Sequence, residues 1–194
     1  MTSNTNTNRW LDRAVLAMLL CSLSMNAAMA WKLRHKDMDE AVRRDEGRLQ
    51  EGSLLPALDL RDARGATAHI AVSGRSKPTV VYAFAPQCGW CVRNNANFNA
   101  LASALAGRAE VVAVSLSPEG VEEYVAKHGI RVPVYRSPSR ATSEAYRFGA
   151  TPGMVVVSAD GHVAKQWLGA WMNDKQKEIE DYFGVKLPGV PVRD

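Results

Sequence analysis

Two of the three cysteines in this chain stand three residues apart, in the segment Cys88-Gly89-Trp90-Cys91. They follow the β-branched and aromatic run Thr79–Phe84, which predicts a buried strand, and they precede residues with helical periodicity. Cys88 is therefore expected at a helix N-terminus, where unpaired backbone N–H groups and the helix dipole stabilise a thiolate. Thiolates carry out thiol-disulfide exchange, and cysteines in such settings have pKa values lowered from about 8.5 to roughly 3.5–7.5. Since side chains three residues apart on a helix are neighbours, the pair can form a disulfide and reopen it.

Each residue of this segment has a predicted role. Cys91 shares one helical face with three apolar residues, so its side chain is expected to point into the core. These residues are Phe98, Leu101 and Leu105. Cys88, at the exposed helix end, is the predicted nucleophile, and Cys91 is predicted to resolve the mixed disulfide. Gly89 and Trp90 are expected to tune the reduction potential.

Three other uses of a cysteine pair fit the sequence less well. A structural zinc site needs about four ligands, and none of the four histidines has a metal-motif spacing, so no metal is expected. Covalent haem attachment needs a histidine directly after the second cysteine, where this chain has Val92. An inert structural disulfide stays open as an alternative, but it does not explain the position between a strand and a helix.

The elements around the pair predict a mixed α/β sheet with helices on both faces. Residues 57–60 and 68–72 read as an N-terminal hairpin, and 110–116 as a second buried strand. A short strand is expected around 132–135, and 154–158 with 163–168 form a second hairpin. A last helix is expected over 174–183.

Sequence signals also predict where the helices start and stop. The helix after Cys88 is expected to end near Gly107. Ser117-Pro118 predicts an N-cap and first helical residue, and Gly129 predicts the end of that helix. Ser137-Pro138 predicts a further helix start, with Gly149 closing it.

An uncharged stretch over residues 14–30 predicts a membrane anchor or an export signal. Seventeen residues are slightly fewer than the about 20 that span a bilayer, yet more than a usual signal-peptide core. A retained anchor is therefore favoured over a cleaved signal, for which Ala28-Met29-Ala30 would be the processing site. The expected organisation is a tail over 1–13, an anchor or signal over 14–31, a charged linker over 32–53 and a domain over 54–194.

The predicted location is a single pass through the inner membrane, with the domain in the periplasm or otherwise outside; the alternative is a soluble periplasmic protein. Lys32, Arg34 and Lys36 follow the apolar stretch, which opposes this orientation. Long domains translocate largely regardless of such charges, and thiol chemistry suits an oxidising compartment. The net charge of +4 is scattered, so no nucleic-acid partner is expected.

With FAPQCGWC after a buried strand and TPGMVVVSADGHV after the last long helix, residues 54–183 resemble the thioredoxin superfamily, in particular its membrane-anchored TlpA and ResA type. The resemblance implies a thioredoxin-like fold with a central insertion over 117–135 and a cis-proline at Pro152. It also implies that Thr151 and Pro152, with Trp90, bind an extended substrate segment.

Three positions depart from the pattern of that family. Gln87 stands where tryptophan commonly precedes the first cysteine. Tyr82 matches the buried acid of thioredoxin, and Asn94 matches the acid that some ResA-type proteins have one turn after the second cysteine. The resemblance therefore leaves the buried thiol without its usual carboxylate proton acceptor.

The resulting expectation is dithiol–disulfide exchange with protein thiols or disulfides, without a bound cofactor and with an upstream redox partner. The resemblance implies a reductase role outside the cytoplasm, as in cytochrome c maturation. A thioredoxin-fold peroxidase is one alternative, although Ala85 stands where that class would have threonine. A non-catalytic adaptor that binds partner segments beside Pro152 is the other.

Overall fold

The computed structural model describes residues 5–191, with the backbone alone for 5–9, 12 and 35–46. The chain divides into two compact units, residues 1–47 and 48–194. Residues 1–4 of the predicted tail and 192–194 of the predicted domain lie outside the described residues. The four segments drawn from the sequence remain predictions.

The first unit contains one long helix, α1 (Thr5–Glu46). Its segment Arg13–Arg34 has 22 residues with a mean hydropathy of 1.7, and none of it is buried within the structure. At 1.5 Å per residue this segment is about 33 Å long, which matches the hydrocarbon core of a bilayer. The helix continues through residue 46, so the backbone of much of the predicted charged linker is helical. The side chains of residues 35–46 lie outside the described part of the structure.

The second unit is built on a seven-stranded mixed sheet with the strand order β2-β1-β5-β4-β3-β6-β7. The strands are β1 (Leu58–Arg61), β2 (Thr67–Ile70), β3 (Thr79–Phe84), β4 (Glu110–Ser115), β5 (Val134–Arg136), β6 (Gly153–Val157) and β7 (Val163–Leu168). The helices are α2 (Gly89–Ala104), α3 (Val121–His128), α4 (Arg140–Ala145) and α5 (Asn173–Phe183). Strands β3, β4 and β5 pair in parallel, and the remaining pairs are antiparallel. The predicted fold class and both hairpins are confirmed.

All six residues of strand β3 are buried, and their side chains contribute to the core on both faces of the sheet. Val80, Tyr82 and Phe84 face one cluster, which also contains buried residues of α2, α3 and α5. Val81 faces a second cluster, formed with β1, β4, β6 and the end of α4. The two-residue period of the strand thus distributes its side chains between the two helical layers.

Two predicted helix starts are wrong by two or three residues. Helix α3 begins after Gly120, because Ser117 instead accepts a hydrogen bond from the nearby Glu119 N–H and caps a turn. Helix α4 is capped by Ser139, whose side chain accepts from the Thr142 N–H at 3.1 Å.

The structure agrees with some of the predicted helix ends and differs from others. Gly129 ends α3 with a φ of 63°, as predicted, since glycine adopts this left-handed conformation without strain. Helix α4 ends at Ala145, with Tyr146 as its C-cap, ahead of the predicted Gly149. Helix α2 ends at Ala104, and the chain turns over 105–108 at the predicted place.

Phe98 should be a main support of the core, since it is 1% exposed and its ring stacks on Tyr82 with centroids 4.0 Å apart. Phe98→Ala removes this contact and leaves a cavity, which should reduce the free energy of unfolding by about 3–5 kcal/mol. Chemical denaturation monitored by circular dichroism measures the loss. Val92→Ala, an exposed position on the same helix, is the control and should change stability by less than about 0.5 kcal/mol. Equal losses in both variants would contradict this assignment.

Candidate active site

Cys88 is the N-cap residue of helix α2. Strand β3 ends four residues earlier, and the extended backbone of Cys88 (φ −78°, ψ 107°) turns the chain into the helix. Its Sγ accepts a hydrogen bond from the Cys91 N–H at 3.3 Å, and its carbonyl accepts from the N–H groups of Cys91 and Val92. The helix N-terminus thus directs an N–H group at the sulfur, as the sequence predicts.

The loop before β6 places Thr151 beside Cys88. In the antiparallel register of β3 and β6, Ala83 lies opposite Gly153, so the residues that precede β6 meet the segment that follows β3. The Cys88 thiol donates to the Thr151 carbonyl at 3.4 Å. The Thr151-Pro152 peptide bond is cis, which confirms that prediction.

Cys91 meets very different surroundings from Cys88. Cys88 is partly exposed, whereas Cys91 is 0% exposed and belongs to the cluster of Tyr82 and Phe98. Both cysteines are free thiols in this structure. The inward orientation predicted for Cys91 is therefore confirmed.

The pKa values of the two thiols are shifted in opposite directions. Burial acts to raise the pKa of Cys88, but hydrogen bonds from the side chains of Cys91 and Thr151, together with backbone hydrogen bonds, outweigh it and lower that pKa. Burial raises the pKa of Cys91 to about 12, and the hydrogen bond to Cys88 adds to the increase. Near neutral pH, Cys88 is thus the more ionised sulfur of the pair.

The side chain of Trp90, two residues after Cys88, is exposed to solvent. Trp90 is 46% exposed, and the Arg93 guanidinium lies over its ring, 4.5 Å from the ring centroid. Arg93 also donates to the carbonyl of Pro191, in the C-terminal segment. Sequence reasoning found Trp90 but missed Arg93, although its position three residues after Trp90 on a helix was the available signal.

Two buried polar residues follow the cysteine pair on helix α2. Asn94 and Asn97 are both 0% exposed, and Asn94 donates to the Tyr82 hydroxyl at 3.4 Å. Sequence reasoning noted Tyr82 and Asn94 as departures from a family pattern and missed Asn97. The described residues include no group of three or more His, Cys, Asp or Glu side chains arranged to hold a metal ion.

A protein-family model matches more than half of this chain. The family model described as Redoxin matches residues 50–182. A search of curated protein sequences found no match.

Solved structures with the same fold include redox proteins. One is described as the thiol:disulfide interchange protein DsbE from Chlorobium tepidum, with 21% identity, a TM-score of 0.56 and coverage of 70% of this chain and 96% of that one. Another is the thioredoxin domain of a thiol-disulfide oxidoreductase from Bacteroides vulgatus, with 16% identity, a TM-score of 0.55 and coverage of 70% and 99%. StoA from Bacillus subtilis has 17% identity, a TM-score of 0.51 and coverage of 66% and 98%.

The lowered pKa of Cys88 predicts how its alkylation depends on pH. In full-length protein with Cys21→Ser, the rate of Cys88 alkylation by iodoacetamide should fall to half its maximum at a pH below the value of about 8.5 for free cysteine. The rate falls as pH decreases through the Cys88 pKa, because protonation removes the nucleophilic thiolate. Mass spectrometry of quenched samples gives the rate at each site. A midpoint equal to that of free cysteine would contradict the site electrostatics, and Cys91 should remain far less reactive across the same range.

Proposed function

This chain belongs to the Redoxin family, and from that premise we propose that it exchanges dithiol and disulfide with other proteins through Cys88 and Cys91. It is an oxidoreductase of the thiol-disulfide class with a thioredoxin-like fold. One observation carries the assignment of these residues: two thiols one helical turn apart have opposite exposure and opposite pKa shifts.

The proposed reaction has two steps, and this asymmetry orders them. The Cys88 thiolate attacks a partner disulfide, forms a mixed disulfide and releases one partner thiolate, which takes up a proton. Cys91 then loses its proton and attacks the Cys88 sulfur, so that the Cys88–Cys91 bond forms and the second partner sulfur leaves. The partner gains two electrons, and the cysteine pair is oxidised. An upstream redox partner must then reduce the pair again.

The surface beside Cys88 supports binding of an extended partner segment. The Thr151 carbonyl lies 3.4 Å from the Cys88 sulfur, and the side chain of Trp90, two residues after Cys88, is exposed. We propose that Thr151, Pro152 and Trp90 contact the partner, and that Gly89 and Trp90 tune the reduction potential. Backbone hydrogen bonds in such contacts are independent of side-chain identity, so they suit several protein substrates.

We further propose that α1 anchors the protein in the inner membrane, with the thioredoxin-like domain in the periplasm or otherwise outside. The exposed apolar segment Arg13–Arg34 supports the anchor, and the chemistry of the cysteine pair suits an oxidising compartment. The resemblance to the TlpA and ResA type supports the direction of electron flow, as a reductase that serves processes such as cytochrome c maturation.

The order of the two steps predicts which variant traps a partner. Cys91→Ser removes the resolving thiol, so in its native host it should accumulate DTT-sensitive adducts with one or a few proteins. Cys88→Ser removes the nucleophile and keeps only the buried Cys91 thiol, so it should give at least about tenfold fewer adducts. Non-reducing gels and mass spectrometry measure and identify the adducts. Equal amounts in both variants would refute the order, and their absence from both would favour the adaptor.

The location predicts the behaviour of a reporter fused after Asp194. Alkaline phosphatase, which is active only after export, should be active there, and a fusion that fluoresces only in the cytoplasm should stay dark. Membrane fractionation tests the anchor in the same strain: the fusion should sediment with membranes and resist extraction by high salt. Deleting residues 1–34 is the matched control and should abolish phosphatase activity. A fluorescent cytoplasmic fusion would overturn the orientation.

A further inference from the structure

Arg93 holds a positive charge beside the exposed end of helix α2. It follows Trp90 by one helical turn, and its guanidinium carbon lies 4.5 Å from the centroid of the exposed Trp90 ring. The same guanidinium donates a hydrogen bond to the Pro191 carbonyl. These two contacts orient the side chain over the ring, so the charge stays next to the surface that we propose binds the partner.

The charge of Arg93 is not neutralised by any carboxylate among the described residues. Three other arginines each pair with a glutamate: Arg75, Arg136 and Arg140. A guanidinium has five N–H donors in a planar fork, and the Pro191 carbonyl bonds to only one of its nitrogens. The remaining N–H groups can bind an incoming carboxylate, and two of them can do so together.

The position of Arg93 on the helix indicates which partner residues it can reach. Arg93 lies five residues after Cys88, a rise of about 7.5 Å along a helix axis. Its side chain extends over Trp90, which keeps the charge within that range. An extended partner segment advances about 3.3 Å per residue. A partner residue two or three positions from the cysteine that bonds to Cys88 is therefore at about the distance of the guanidinium.

We propose that Arg93 is a specificity-determining residue that selects protein partners with an acidic residue two or three positions from their reactive cysteine. The inference rests on the exchange function proposed above, and it names the substrate class of that same site. The hydrogen bonds that lower the pKa of Cys88 come from Cys91, Thr151 and the backbone at Trp90. Arg93 thus acts on the partner, and the two sulfur exchange steps stay as described.

Other charged side chains on loops near the motif do not replace Arg93. Arg147 is exposed in the loop before β6. Glu119 is exposed in the turn after β4, next to Gly120, where a Cβ would lie 3.6 Å from the Pro86 Cβ. These two residues have opposite charges, so together they favour neither sign of partner. Arg93 alone of the three has its charge against the Trp90 ring.

Peptide disulfides of opposite charge measure the preference. Each peptide has one cysteine bonded to 2-thiopyridine, with glutamate, lysine or glutamine at the second and third positions on either side. Reduced full-length protein with Cys21→Ser attacks the peptide sulfur through Cys88 at pH 7, and absorbance follows the pyridine-2-thione that leaves. Dividing the glutamate and lysine rates by the glutamine rate of the same variant removes any change in the nucleophilicity of Cys88.

The protein with Arg93 should react faster with the glutamate peptide than with the lysine peptide. Arg93→Gln should lower this rate ratio by about two- to fivefold, the range expected of an exposed ion pair, and Arg93→Glu should lower it further. In 1 M NaCl the difference between Arg93 and Arg93→Gln should shrink, because the Debye length falls to about 3 Å.

Arg108→Gln is the matched control. It removes the same charge, and Arg108 likewise donates to a backbone carbonyl, that of Phe183. Arg108 lies beyond the other end of α2, whose 16 residues place it at least about 24 Å from the end with the cysteines. This variant should leave the ratio unchanged.

Four results would overturn the inference while the exchange function stands. They are a ratio at or below one with Arg93 present, an unchanged ratio in Arg93→Gln, the same fall in Arg108→Gln, or a fall that high salt does not reduce. If Cys88→Ser releases pyridine-2-thione from the glutamine peptide as fast as protein with Cys88, the proposed exchange itself is rejected, and the role of Arg93 with it.

Discussion

The chemistry of this protein depends on holding two thiols, one helical turn apart, in two different dielectric environments. A helix brings Cys88 and Cys91 close, but only its position at the end of strand β3 leaves the first exposed and buries the second. The sheet register then supplies the partner loop, because Ala83 opposite Gly153 places Thr151 beside Cys88. A Cβ on Gly153 would lie 3.1 Å from the Ala150 carbonyl, so glycine relieves crowding within this loop. The opposite pKa shifts of the two thiols follow from this packing.

Elements fixed by local pattern were predictable from the sequence. The bounds of β3 follow from its continuous β-branched and aromatic run, and the inward face of α2 follows from the spacing of Cys91 and Leu101. Helix starts were less predictable, because Ser117 can cap a turn or a helix with equal chemistry, and tertiary position decides which. Asn97 could not be found in this way, since its hydrogen-bond partners are 74 and 92 residues away in the sequence.

The polar core beneath α2 suggests why the sequence has asparagine where apolar residues would maintain a helical stripe. Each amide forms hydrogen bonds with backbone groups of the segments around Trp171 and Gly189, which lie outside the strands and helices. A buried N–H without a partner costs about 1–3 kcal/mol, so these amides stabilise the loops as well as the helix. Leucine at these two positions would suit the helix, but it would leave the Trp171 and Gly189 N–H groups without these hydrogen bonds. Asn94 also donates to the Tyr82 hydroxyl, so the same side chain links helix α2 to strand β3.

At residue 82, a tyrosine and a carboxylate would act differently in the step in which Cys91 resolves the mixed disulfide. A carboxylate can take the proton of a buried thiol, and the thiolate that forms then lies beside a neutral carboxylic acid, so the pair carries one negative charge before and after the transfer. A neutral phenol cannot take the proton, and burial raises the pKa of Tyr82 well above its ordinary value, so Tyr82 stays protonated. Because none of the described buried polar side chains is a carboxylate, deprotonation of Cys91 must rely on the departing sulfur or on water. Such a site couples resolution to the partner, because the leaving sulfur of a well-bound substrate is the nearest group that needs a proton.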